Sequence, residues 1–221
     1  MPKIDAPDEV LDRDGRLWLR DLVPAEELRT LKLLWELHDA PGARVHARTP
    51  LFNTILNGAV TKEIVRLWPD MRPVRLVAFD KTAELNWGVP WHRDRVIAVK
   101  ERIEAPGFFN WSNKRGQWHC EPPQAILEEM LFVRVHLDAS LESNGAMQIA
   151  IGSHRAGKTA IVKDTAAEFA IETTAAAPGD VLVLPMLTLH RSLPAQSGEP
   201  RRALRIDYAS RPLPPPLAWA V

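Results

Sequence analysis

Along this chain the apolar positions first recur with a helical period and then switch to the two-residue period of strands. Arg16-Leu-Trp-Leu-Arg20 alternates polar and apolar and predicts a short strand. Pro24 then opens a helix. Proline fits the first helical position, and Glu26 and Glu27 complement the positive end of the helix dipole. Leu28, Leu31, Leu34 and Trp35 recur at helical spacing and mark its buried stripe. The pattern stops near Asp39, and Pro41-Gly42 breaks it. A second helical region, about 50–68, carries Leu51, Ile55, Ile64, Val65 and Trp68, with Asn57-Gly58 as a break. Residues 1–14 show no such pattern and read as a loose leader.

After Pro69 the period changes. Val74, Leu76 and Ala78 alternate with their neighbours as a strand, and 87–94 is the next extended piece. Residues 95–121 read as a long irregular insert of the kind used as a lid or binding loop. Pro122-Pro123 starts a short helix at about 122–129. Strand-like runs follow at 130–138, 146–151, 168–175, 180–185 and 202–209. Asn144-Gly145 is a hairpin signal, and Pro178-Gly179-Asp180 is a turn. The tail from Pro212 to Pro216 is expected to be extended. Seven or eight short strands after a helical third predict a mainly β fold with flanking helices. We expect one domain over 1–221: a helical part at about 1–70, then a cupin-like jelly roll, or double-stranded β-helix, at about 73–210.

Composition narrows the function classes. The 28 basic and 28 acidic residues balance, which gives no electrostatic reason for a nucleic-acid or anionic-membrane partner. The single cysteine, Cys120, excludes an internal disulfide and fits a reducing compartment. The first residues are polar and acidic, unlike a signal peptide, and no apolar run nears the ~20 residues of a membrane span. A cytoplasmic protein with a small-molecule substrate is the expectation. Four of the eight tryptophans fall between 87 and 118.

That cluster surrounds the candidate chemistry. In Trp91-His92-Arg93-Asp94, residues i and i+2 of a strand share a face, so His92 and Asp94 offer two metal ligands side by side. His190 is the best candidate for a third. Two histidines and one carboxylate, with the remaining positions open, suit a non-heme Fe(II) oxygenase. A second His-x-Asp, His136-Leu137-Asp138, lies in an apolar run leading into a hairpin and is the weaker candidate. His136 shares a strand face with Arg134, and the two either line the cavity or are satisfied in the core. His119 and Cys120 lack a partner at ligand spacing, His154 reads as structural, and His38 and His46 as exposed. In the segment 201–205, alternation puts Arg201 and Arg205 on one face and leaves them tied as carboxylate clamps.

Five pieces in order resemble one family, the phytanoyl-CoA dioxygenases within the Fe(II)/2-oxoglutarate-dependent oxygenases. They are the opening Asp14 to Leu28, the Trp91-His-Arg-Asp94 motif, the hairpin from Leu137-Asp138 through Asn144-Gly145 to Gly152-Ser-His154, the Pro178-Gly-Asp180 turn, and His190-Arg-Ser192. The resemblance implies Fe(II) on His92, Asp94 and His190, with 2-oxoglutarate and O2 as co-substrates. Arg201, eleven residues after His190, stands where the family places the arginine for 2-oxoglutarate, which breaks the tie with Arg205. Lys81 matches a lysine near the co-substrate in many relatives, and Ser192 shares a face with His190. Trp111, Trp118, Arg134 and His136 are candidate substrate contacts. Asp94 stands where halogenating relatives have a small residue, so hydroxylation is the expected outcome, with succinate and CO2 as by-products. Two departures stand out: Ile151 replaces the usual proline before Gly152, and 95–121 has no match that identifies a substrate. The rival readings are an inactive jelly-roll binding module and a cupin-like metalloenzyme that does not use 2-oxoglutarate.

Overall fold

The computed structural model describes residues 6–35, 43–45, 49–82, 86–162 and 165–221. The N-terminal segment is a helix, not a loose leader: α1 spans Pro7–Asp14. Pro7 occupies its first turn with Asp8 and Glu9, and the Glu9 carboxylate accepts from the Ala6 amide at 3.2 Å. Gly15 ends it at φ 69°, where a Cβ would lie 2.4 Å from His154 Nδ1, so only glycine fits the turn. β1 (Leu17–Leu19), α2 (Ala25–Trp35), β2 (Ala43–Val45), α3 (Pro50–Asn57) and α4 (Ala59–Leu67) follow. The break at Asn57-Gly58 divides the last two, and the Thr49 hydroxyl caps α3 by accepting from the Phe52 amide at 3.2 Å. His38, His46 and the Pro41-Gly42 break lie outside the described residues.

Next come β3 (Arg72–Lys81), β4 (Val89–His92), β5 (Ile97–Val99), β6 (Phe109–Lys114), β7 (Gln117–Glu121) and α5 (Gln124–Glu128). The chain continues with β8 (Met130–His136), β9 (Met147–Ala150), β10 (Ile171–Thr173), β11 (Val181–Pro185), β12 (His190–Ser192) and β13 (Arg201–Ala209). They form a six-stranded sheet in the order β1-β11-β8-β13-β3-β2, a four-stranded sheet β10-β9-β12-β4 and a three-stranded sheet β5-β7-β6. The stretch 95–121 therefore corrects the sequence expectation: it is a small antiparallel sheet, not an irregular insert. Its hairpin turns at Arg115 (φ 53°) and Gly116 (φ 83°), the left-handed pair that matches strand twist.

Alternation along the six-stranded sheet makes two cores. Val133, Val135, Leu137, Val183, Leu204 and Ile206 face outward onto Leu31, Leu51, Ile55 and Ile64 of the helical part. Phe132, Leu182 and Leu184 face inward with Met147 and Ile149 of the four-stranded sheet and Val99 and Cys120 of the small one. Each fully buried aliphatic side chain of this kind contributes roughly 1.5–3 kcal/mol. The tail packs on its own chain: Leu213 and Leu217 are buried, and Trp219 bridges to Val99. The space left between the two larger sheets holds the site.

Candidate metal centre

Strand pairing brings together residues 92 and 190, distant along the chain. β12 runs antiparallel to β4, and His190 stands directly opposite His92, with ring centroids 4.2 Å apart. Each imidazole is fixed by its own strand. His92 Nδ1 lies 2.9 Å from the Pro90 carbonyl oxygen and His190 Nδ1 2.9 Å from that of Thr188. With Nδ1 engaged by a carbonyl, Nε2 is the atom each ring turns toward the metal position, the arrangement usual for a ligating histidine. Asp94 follows just past the end of β4 on the same side. Arg93 between them turns away and donates to the Ser153 and Thr159 carbonyls at 3.3 Å each. Ligand atoms of His92, Asp94 and His190 all lie within 4.8 Å of one another. Asp94 Oδ2 is 3.3 Å from His190 Nε2. Two imidazole nitrogens and one carboxylate oxygen gathered on one side make an N,N,O donor set that suits Fe(II).

Electrostatics favour the ligating forms of Asp94 and His92. Burial pushes the Asp94 carboxyl up, but Arg205 and the two imidazoles outweigh it and hold the group well below the ordinary carboxylate range. Burial and His190 lower His92, which favours the neutral ring. Arg205 bridges two acids: Nη1 meets Asp94 Oδ2 at 2.5 Å, and Nε meets Asp207 Oδ1 at 2.6 Å. Asp207 also meets Arg75 at 3.4 Å. Burial opposes the Arg205 charge, while Asp207 and Asp94 together raise its pKa.

Beside the three donors is a cavity of about 250 Å³. That is close to the lower end of the roughly 300–1,000 Å³ of small-molecule sites. Phe79, Phe132 and Met147 give it apolar walls, and Lys81, Arg134, Arg201 and Arg205 line it with charge. Arg201 is buried, with Nε donating to the Asn144 carbonyl at 3.2 Å and Nη1 without a partner among the described residues. Burial lowers its pKa to about 10. Lys81 sits across from it in register and donates to the Leu193 carbonyl at 2.7 Å and to Ser192 Oγ at 3.3 Å. Burial, then Arg201 and Arg134, bring the Lys81 pKa to about 8.

Of the residues singled out in the sequence, His92, Asp94, His190, Arg201, Lys81, Ser192 and Arg134 all line this one cavity. His136, Trp111 and Trp118 do not. His136 is buried, 5.8 Å from the Trp18 ring, and the two tryptophans pack against the inner core from the small sheet. Sequence reasoning passed over Arg75 and Phe79, whose alternation with Val77 on β3 already put them on the Lys81 face.

The family profile of phytanoyl-CoA dioxygenase (PhyH) matches residues 11–203. Among solved structures, the fold is similar to AviO1 from Streptomyces viridochromogenes Tue57 at 18% identity and TM-score 0.68, covering 97% of this chain and 99% of that one. It is similar to EctD from S. alaskensis with bound Fe at 19% identity and TM-score 0.69, covering 96% and 79%. HygX from Streptomyces hygroscopicus with nickel and 2-oxoglutarate bound is similar at 16% identity and TM-score 0.61, covering 91% and 84%. No match is found among curated proteins. At these identities the likeness to the solved structures is one of fold.

Proposed function

The chain belongs to the phytanoyl-CoA dioxygenase family, and from that premise we propose that His92, Asp94 and His190 hold the Fe(II) of a 2-oxoglutarate-dependent hydroxylase and that Arg201 anchors its co-substrate. The observation that carries this reading is the meeting of two imidazoles and one carboxylate within 4.8 Å at the wall of a cavity containing a buried arginine with an open Nη1. When bound, Fe(II) with 2-oxoglutarate and O2 supplies the oxidising power, one oxygen atom entering the C–H bond and the other leaving in succinate beside CO2.

The protein's own groups do the positioning. The two Nε2 atoms and the ionised Asp94 would hold the metal from one side and leave its other side to ligands from the cavity. Arg201 presents a planar fork to a carboxylate, a geometry that lysine cannot supply. Lys81 and Ser192 stand beside it and add a second charge and a hydroxyl. Phe79, Phe132 and Met147 exclude water, which strengthens each of these interactions. The same reading gives the enzyme a small-molecule substrate and a cytoplasmic setting, supported by the lone buried Cys120 and the balanced charge.

Two rivals fare worse. An inactive binding module has no use for three converging donors, and a metalloenzyme without 2-oxoglutarate has none for Arg201 at the cavity wall. Succinate release from 2-oxoglutarate decides between them. The wild type with Fe(II) and O2 forms succinate, His92→Ala forms none, and Arg201→Gln needs about 10- to 100-fold more 2-oxoglutarate, the worth of a charge-assisted contact. Equal turnover by wild type and His92→Ala refutes the assignment.

A further inference from the structure

Arg134 is a cavity cation that the metal and co-substrate assignments above leave without a role. It is 7% exposed and makes no hydrogen bond or ion pair to a described residue, and its buried Nε has no partner. An isolated buried guanidinium costs several kcal/mol unless something answers it. The neighbouring acids are already engaged. Asp94 and Asp207 are held by Arg205, Asp138 by Arg202 and Lys32, and Asp180 by Arg20. Arg134 therefore faces an anion that the chain itself does not supply.

Register locates that anion. Arg134 stands opposite Arg205 on the inner face, while His136 is opposite Ala203. On the far side of β13, Ala203 is opposite Phe79 and Arg201 opposite Lys81. The Arg134 guanidinium lies 5.7 Å from the Phe79 ring centroid, so its side chain crosses β13 in the gap left by the small Ala203. It thus lies between Arg201, at the Lys81 end, and Arg205, which holds the metal-binding carboxylate. Burial, then Arg201 and Arg205, disfavour its charge. A ligand extended from Arg201 to the metal passes this guanidinium, and a carboxylate shared by the two arginines removes their repulsion.

We propose that Arg134 is a second co-substrate arginine, sharing the far carboxylate of 2-oxoglutarate with Arg201 and making the site selective for dianionic 2-oxo acids. This rests on the assignment of the metal and co-substrate given above. It sets Arg134 on the co-substrate rather than on the hydroxylated molecule, and it explains why the cavity carries Lys81, Arg134 and Arg201 where one clamp suffices for one carboxylate.

The test uses the full chain loaded with Fe(II) without oxygen, with binding read by the visible band of the bound 2-oxo acid. Arg134→Met is expected to weaken 2-oxoglutarate about 10-fold or more. It should weaken 2-oxobutanoate, which lacks the far carboxylate, less than about twofold, and Arg134→Lys should recover part of the loss. The metal-free Arg134→Met protein should unfold at the same temperature as wild type or higher, because an unanswered buried charge has been removed. A mere structural role predicts the opposite shift. An unchanged 2-oxoglutarate affinity, or equal losses for both acids, overturns the proposal and leaves Arg134 to the substrate. Failure of the wild type itself to bind 2-oxoglutarate sinks the underlying assignment instead.

Discussion

Arg201 and Arg205 lie four residues apart on one strand face and have opposite tasks. Alternation in the sequence could bring them to the same cavity but could not separate them. The partners that do so, Asp94 and the open space beside Arg201, come from contacts far along the chain. Arg205 is saturated by Asp94 and Asp207, and Arg201 keeps a free Nη1 for a ligand. His136 shows the same limit. Its place on the Arg134 face was legible, but its absence from the cavity lining was not; its ring lies 5.8 Å from that of Trp18 on β1, across the sheet. Burial first, then Arg134 and Arg201, lower its pKa from 6.5 to about 3. The unfolded chain thus takes up this proton before the folded one does as pH falls. His136 contributes stability that is fully present above pH 6.5 and is lost as pH drops towards about 3. Between those limits the loss amounts to up to about 1.4 kcal/mol per pH unit. Denaturant unfolding over that range should show a shallower slope for His136→Gln than for wild type, and identical slopes would remove His136 from the acid response.

Elements were read best where local chemistry decides them. The glutamates in the first turn of α2, the Asn57-Gly58 break and the alternation of β3 and β13 appear where the sequence puts them, while Pro24 falls one residue before the helix. The three-stranded sheet was missed because its strands are short or interrupted: Ile97–Val99 has only three residues, and the register of Phe109–Lys114 shifts between Phe109 and Ser112. The signal that was present is the Arg115-Gly116 pair, which supports a two-residue hairpin. β12 was missed for another reason. Three residues cannot declare a period, and it is a strand because β4 and β9 flank it. Gly116 tests the revised view of this region. A Cβ there meets nothing within 4 Å, so the cost of Gly116→Val is backbone strain alone, about 1–2 kcal/mol. Unfolding should become easier by that amount while 2-oxoglutarate affinity stays unchanged, since the hairpin does not line the cavity. A large loss of affinity would restore the lid interpretation of 95–121.

At the scale of the whole molecule, one sheet separates a helix-covered core from the core that surrounds the site. The balance of 28 acids and 28 bases conceals a cavity in which Lys81, Arg134 and Arg201 outnumber their counter-charges. Net charge describes long-range attraction to large partners, and it is silent about a small dianion drawn into a closed space. Among the described residues no helix is long and apolar enough to cross a membrane. The fold follows from periodicity and turn chemistry; the site follows from strand pairing that sets position 190 against position 92, for which the sequence offered only residue types and the resemblance an order. Anaerobic titration of the metal-free protein with Fe(II) in the presence of 2-oxoglutarate measures that convergence most directly. A visible charge-transfer band saturating at one iron per chain, and absent from both His92→Ala and His190→Ala, is the predicted result. No band in the wild type, or an undiminished band in His190→Ala, would contradict it.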